Sequence, residues 1–181
     1  MVRPAVFLDR DGVLSIPEFR DGRSYAPTRL EDFRLYPDAA ASVARLKAAG
    51  FVVIVATNQP EITRGNLDPN ELEQMHARLR AEVSVDAIEV SIATREAPDR
   101  RRKPNSGMLV DAAAAWGIDL AASYMVGDRS SDIACGRAAG CRTVFIDLGY
   151  TRDEPANGQD ATVADLSEAA DWICRDRKGA G

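Results

Sequence analysis

Five short apolar runs, rich in β-branched residues, constrain this chain most: residues 5–8, 51–56, 87–92, 124–126 and 143–146. They are nearly continuous rather than alternating, which is the pattern of strands buried on both faces of a parallel sheet. Between them lie segments of helical period. Residues 38–49 put Ala40, Val43, Ala44 and Leu46 on one stripe before Gly50, and Asp68 or Asn70 starts a helix carrying Leu72, Met75, His76 and Leu79 on one face. Residues 106–116 end at Gly117, residues 131–139 end at Gly140, and residues 163–175 form the last helix. Alternation of this kind predicts right-handed βαβ units in an α/β, three-layer sandwich.

At 181 residues, with no internal repeat, low-complexity tract or Gly/Ser-rich linker, the chain reads as a single domain over residues 1–181. Its 23 Lys and Arg against 28 Asp and Glu give a net charge of -5, which argues against a nucleic-acid partner. The N-terminus has neither a signal-peptide core nor a membrane span, so a cytoplasmic location and no membrane partner are expected. Cys135, Cys141 and Cys174 lack metal-ligand spacing and read as reduced thiols. A monomer is expected.

Polar residues with chemistry gather at the ends of the apolar runs, where open α/β sheets bind ligands. The first run ends in Asp9-Arg10-Asp11-Gly12, which delivers two carboxylates to a strand tip. Taken alone, that segment equally fits a solvated turn. The second run ends in Thr57-Asn58-Gln59, a hydroxyl and two amides able to bind phosphate oxygens. Lys103 follows the third run inside a basic stretch that would otherwise be a solvated loop, and its charge suits a developing phosphoryl charge. The fourth run ends in Gly127-Asp128 with Asp132 four residues on; in isolation this is also a helix N-cap. His76, Trp116 and Trp172 have no motif near them and read as packing or surface groups.

Together, Asp9-x-Asp11-Gly-Val, Thr57, Lys103 and Gly127-Asp128-x-x-x-Asp132 resemble the haloacid dehalogenase (HAD) superfamily over residues 5–150. Within it the chain is most similar to the capless histidinol-phosphate and heptose-bisphosphate phosphatases, through Phe7 to Leu14, Thr57-Asn58-Gln59 with Arg64-Gly65, Arg102-Lys103-Pro104 and Met125 to Asp128. The resemblance implies a Rossmann-like five-stranded parallel sheet in order 3-2-1-4-5 without a large cap domain. It implies Mg²⁺ held by Asp9, Asp11 through its backbone carbonyl, and Asp128. Catalysis would fall to Asp9 as nucleophile, Asp11 as acid/base, and Thr57 and Lys103 as phosphoryl ligands, with Asp132 in support. Ser24, Tyr25, Asn58, Gln59, Arg102 and Arg129 would join Thr57 and Lys103 in contacting a phosphorylated sugar. Typical members also carry a zinc loop before the Arg-Lys-Pro motif; residues 93–101 here contain no Cys or His, so no structural zinc is expected. The implied substrate is a heptose 1,7-bisphosphate, with histidinol phosphate or another small phosphomonoester as the alternative. A noncatalytic binding protein on the same fold is the reading from another class.

Overall fold

The computed structural model describes residues 2–151 and 156–179. Met1, residues 152–155 and residues 180–181 of the expected 1–181 unit lie outside the described residues. In chain order the strands are β1 (Ala5–Leu8), β2 (Glu18–Arg20), β3 (Arg23–Tyr25), β4 (Val52–Asn58), β5 (Ala87–Ser91), β6 (Tyr124–Gly127), β7 (Arg142–Ile146) and β8 (Ala161–Val163). The helices are α1 (Ala39–Ala48), α2 (Pro69–Val83), α3 (Gly107–Trp116), α4 (Ser130–Ala138) and α5 (Leu166–Gly179). Six strands form one parallel sheet in the order β5-β4-β1-β6-β7-β8.

Side-chain alternation along β1 explains the layers. Val6 and Leu8 join a cluster with Val43 and Leu46 of α1, Leu79 of α2 and Ile173 of α5. Ala5 and Phe7 point the other way, into a cluster with Met108 and Leu109 of α3 and Cys135 of α4. A strand in contact with apolar helices on both sides has no reason to alternate with polar residues, which is why the run reads as continuous. Cys135, Cys141 and Cys174 are free thiols, the first two buried.

The expected order 3-2-1-4-5 corresponds to β5-β4-β1-β6-β7, and the sheet adds one strand beyond it. The last helix was expected from residue 163, whereas residues 161–163 pair with Val144, Phe145 and Ile146 as an edge strand. Helix α5 begins after it, where Asp165 Oδ1 accepts from Glu168 N at 2.8 Å and Glu168 Oε2 accepts from Ala164 N at 3.0 Å. That reciprocal cap sets the start of the helix.

The stretch 15–36 also contains structure. Strands β2 and β3 form an antiparallel hairpin closed by Asp21 and Gly22, both at positive φ (51° and 77°), the backbone required of a two-residue turn of this hand. This hairpin and a short 3₁₀ turn at Leu30–Asp32 are the only regular elements between β1 and α1, and there is none between β5 and α3. No large cap is present among the described residues. No helix of the described residues is long and apolar enough to cross a membrane.

Candidate active site

The C-terminal tips of β1, β4 and β6 converge. Asp9 directly follows β1, and its N–H donates to Val126 O at 3.0 Å, extending the β1–β6 pairing by one residue. The chain then turns tightly: Leu14 N and Ser15 N both donate to Arg10 O, at 2.8 and 2.9 Å. Gly12, at φ 91°, sits where a Cβ would overlap the Asp128 carboxylate. A side chain there would close the space between the two strand tips. Gly127 acts similarly, since a Cβ would overlap the side chain of Asp132.

Lys103 is 3% exposed, and its Nζ lies 2.8 Å from Asp9 Oδ1 and 2.6 Å from Asp132 Oδ1. Burial alone would lower the pKa of this ammonium, but Asp132 and then Asp9 carry it above its ordinary value, so it stays charged. Burial pushes Asp9 up to about 6 against the attraction of Lys103, with Asp132 and Asp11 adding to the rise. Asp128 is also raised well above its ordinary value, by burial first and then by the charges of Asp9 and Asp132. Three buried carboxylates facing one ammonium leave excess negative charge, which a bound cation would neutralise.

Ligand oxygens of Asp9, Asp128 and Asp132 lie within 4.8 Å of one another. Asp132 is already engaged, by Lys103 at Oδ1 and by Arg129 N at Oδ2 (3.1 Å). Asp128 Oδ1 is buried without a hydrogen-bond partner. An all-oxygen donor set with one orphaned carboxylate oxygen fits Mg²⁺, with Asp9 and Asp128 as the side chains able to hold it.

Asp11 faces a different set of partners. Its Oδ2 accepts from Arg10 Nε and Gln59 Nε2, both at 3.0 Å, and its Oδ1 accepts from Ser15 Oγ at 2.8 Å. Gln59 Nε2 also donates to Thr57 Oγ1 at 2.9 Å, so one buried amide ties Asp11 to Thr57. The Asn58 amide brackets the Lys103 backbone: Nδ2 donates to Lys103 O and Oδ1 accepts from Lys103 N, each at 3.1 Å. The amides of Asn58 and Gln59, anticipated as substrate contacts, thus hydrogen-bond to the Lys103 backbone and to Thr57 and Asp11.

The remaining anticipated contacts lie around this centre. Arg129 donates to Ser24 O at 2.8 Å and to Ser24 Oγ at 2.5 Å, fixing the hairpin to the start of α4. Tyr25 is 40% exposed with the Arg20 guanidinium over its ring, 4.5 Å from the centroid. Arg102 donates to Ala93 O at 2.7 Å. The loop that carries it is closed by Asp99 Oδ1, which accepts from Arg101 N at 2.9 Å and Arg102 N at 2.8 Å, and by Arg101, which pairs with Glu89 and Asp111. Ion pairs and an Asp-centred turn thus hold residues 99–103.

Two residues near the centre escaped the motif reading. Arg10 is fully buried, pairing with Asp11 and lying 3.3 Å from His76 Nε2 and 5.4 Å from the Phe33 ring centroid. Tyr150, on the loop after β7, donates to Asp128 Oδ2 at 2.6 Å. Its position past a strand tip was the available signal, since every other group at the centre also follows a strand.

A family model described as HAD-hydrolase-like matches residues 100–169. The chain is 36% identical to a D-glycero-D-manno-heptose-1,7-bisphosphate 7-phosphatase of Thermosynechococcus vestitus, over 96% of this chain and 97% of that one. It is 38% identical to a D-glycero-beta-D-manno-heptose-1,7-bisphosphate 7-phosphatase of Pseudomonas aeruginosa, over 82% and 84%. The fold superposes on the crystal structure of a D,D-heptose 1,7-bisphosphate phosphatase from B. bronchiseptica complexed with magnesium and phosphate, at TM-score 0.81 and 27% identity over 96% of this chain and 99% of that one.

Proposed function

The chain belongs to the HAD-like phosphatases that include these heptose-bisphosphate enzymes, and from that premise we propose that it removes the C7 phosphate of a heptose 1,7-bisphosphate through a phosphorylated Asp9. It is a Mg²⁺-dependent phosphoric monoester hydrolase. The observation that carries the reaction class is the convergence of Asp9, Asp128 and the Asp132-anchored Lys103 on one point.

In the proposed reaction the Asp9 carboxylate attacks phosphorus in line, and a new oxygen–phosphorus bond forms as the bond to the sugar oxygen breaks. Asp11 gives its proton to the departing alkoxide. It then takes a proton from water, which attacks the same phosphorus and releases Asp9 and inorganic phosphate. The hydrogen bonds from Arg10, Gln59 and Ser15 aim Asp11 for both transfers. Lys103 and Thr57 bind the oxygens of the moving phosphoryl group. Asp9, Asp128 and the Asp11 backbone carbonyl would hold Mg²⁺, which would supply charge neutralisation at that group.

On this reading Ser24, Tyr25, Arg102 and Arg129 surround the sugar and its second phosphate, and Asn58 and Gln59 act from behind the phosphoryl ligands. The substrate assignment rests on relatives at 36% and 38% identity across most of the chain. A panel of sugar mono- and bisphosphates and histidinol phosphate, assayed with Mg²⁺, tests it. The heptose 1,7-bisphosphate should give the highest kcat/KM. A higher value for histidinol phosphate would transfer the assignment to the small phosphomonoesters, and Mg²⁺ binding without turnover of any substrate would favour a binding protein.

A further inference from the structure

We propose that Tyr150 is a positioning residue for the metal centre, holding one oxygen of Asp128 so that the other is presented to the cation. The two oxygens of Asp128 have opposite environments. Oδ2 accepts from the Tyr150 hydroxyl at 2.6 Å, whereas Oδ1 is buried and has no hydrogen-bond partner. A buried carboxylate oxygen left unpaired is costly to a fold, so its retention beside Asp9 needs a ligand to explain it. With Oδ2 capped by a neutral donor, rotation of the carboxylate would break a short hydrogen bond, so Oδ1 remains the oxygen left for a cation.

The phenol is itself braced. Its ring stacks on Phe19 of β2, with centroids 5.8 Å apart and planes 20° from parallel. Phe19 belongs to the β2–β3 hairpin, whose Ser24 accepts from Arg129 at the start of α4, so a tethered hairpin braces the ring. Residues of this kind, which touch a metal ligand rather than the metal, typically change affinity by about 10–100-fold when lost.

The inference rests on the Mg²⁺ assignment, and the test separates the two. Tyr150→Phe keeps the ring and its stack on Phe19 while removing only the hydroxyl. Titration calorimetry of MgCl₂ into metal-free protein, without substrate, should show Kd raised about tenfold relative to wild type. The Mg²⁺ activation curve should move to higher concentration by the same factor. An unchanged Kd, or a lowered activity plateau with an unmoved midpoint, would overturn the role of Tyr150. Failure of the wild-type chain to bind Mg²⁺ would instead overturn the metal assignment. Phe19→Ala, in which Tyr150 keeps its hydroxyl but loses its brace, should raise Kd by a smaller factor; an unchanged value would remove the hairpin from the scheme.

Discussion

Lys103 Nζ lies 2.6 Å from Asp132 Oδ1, closer than its 2.8 Å approach to Asp9, so the ammonium is anchored from the start of α4 while it faces the nucleophile. Lys103→Met should therefore act twice. Loss of the phosphoryl ligand lowers kcat/KM by at least about 100-fold. Removing one partner of a buried ion pair costs roughly 3–5 kcal/mol of stability. Steady-state kinetics and urea unfolding of the metal-free protein check the two effects separately.

Asn58 satisfies both backbone polar groups of Lys103. Asn58→Ala leaves them unpaired and should cost about 1–3 kcal/mol. Asn58→Asp keeps the acceptor for Lys103 N but sets a carboxylate oxygen against Lys103 O, so it should be at least as damaging. If Asn58 acted on substrate alone, both variants would raise KM without changing stability; unfolding curves in the absence of substrate decide between these.

Mg²⁺ affinity should fall with pH. Asp9 is raised to about 6, so protons compete with the cation there, and the rise of Asp128 acts in the same direction. Calorimetric Kd should rise by at least about tenfold between pH 7.5 and pH 5.5. In the metal-free chain the sign reverses. A carboxyl raised by folding favours the native state once protonated, so these two groups add stability at low pH and lose it as pH rises through the folded value. The Mg²⁺-induced gain in Tm should accordingly be larger at pH 7.5 than at pH 5.5.

His76 works in the opposite sense. Burial, then the nearby charges of Arg10 and Arg80, lower it from 6.5 to about 4, so the folded chain resists its protonation. Its contribution is intact above pH 6.5 and is lost as pH falls towards 4, by an amount on the order of 3 kcal/mol in full. His76→Gln retains an acceptor for buried Arg10 but cannot charge. Relative to wild type, the variant should be less stable at pH 7.5 and should gain ground at pH 5; a constant difference in unfolding free energy would show that folding does not lower the His76 pKa.

The central sheet was legible because β1, β4 and β6 are buried on both sides and announce it as apolar runs, and the partly buried β5 and β7 keep enough apolar residues to show beside them. β8 was not, since a three-residue edge strand containing an exposed Thr162 carries no such signal and depends on β7 to pair with. The same division holds at the centre. Asp9, Asp128 and Lys103 follow strand tips in a fixed spacing, whereas the partners of Asp11 come from neighbours whose role depends on packing. Arg10 looks like an ordinary charged residue until its side chain is seen fully buried against Phe33 and His76. Asn58 and Gln59 lie at the strand tip where the sequence put them, but which groups their amides bond is a matter of rotamer, which spacing does not encode.

Covalent chemistry at Asp9 is tested most directly by acid-quenching the enzyme during turnover of a heptose 1,7-bisphosphate with Mg²⁺ and measuring peptide masses. The peptide containing Asp9 should carry the added mass of one phosphoryl group, labile to hydroxylamine and absent from Asp9→Asn. Turnover that continues at a near-normal rate in Asp9→Asn, with no phosphorylated peptide in either protein, would contradict the account.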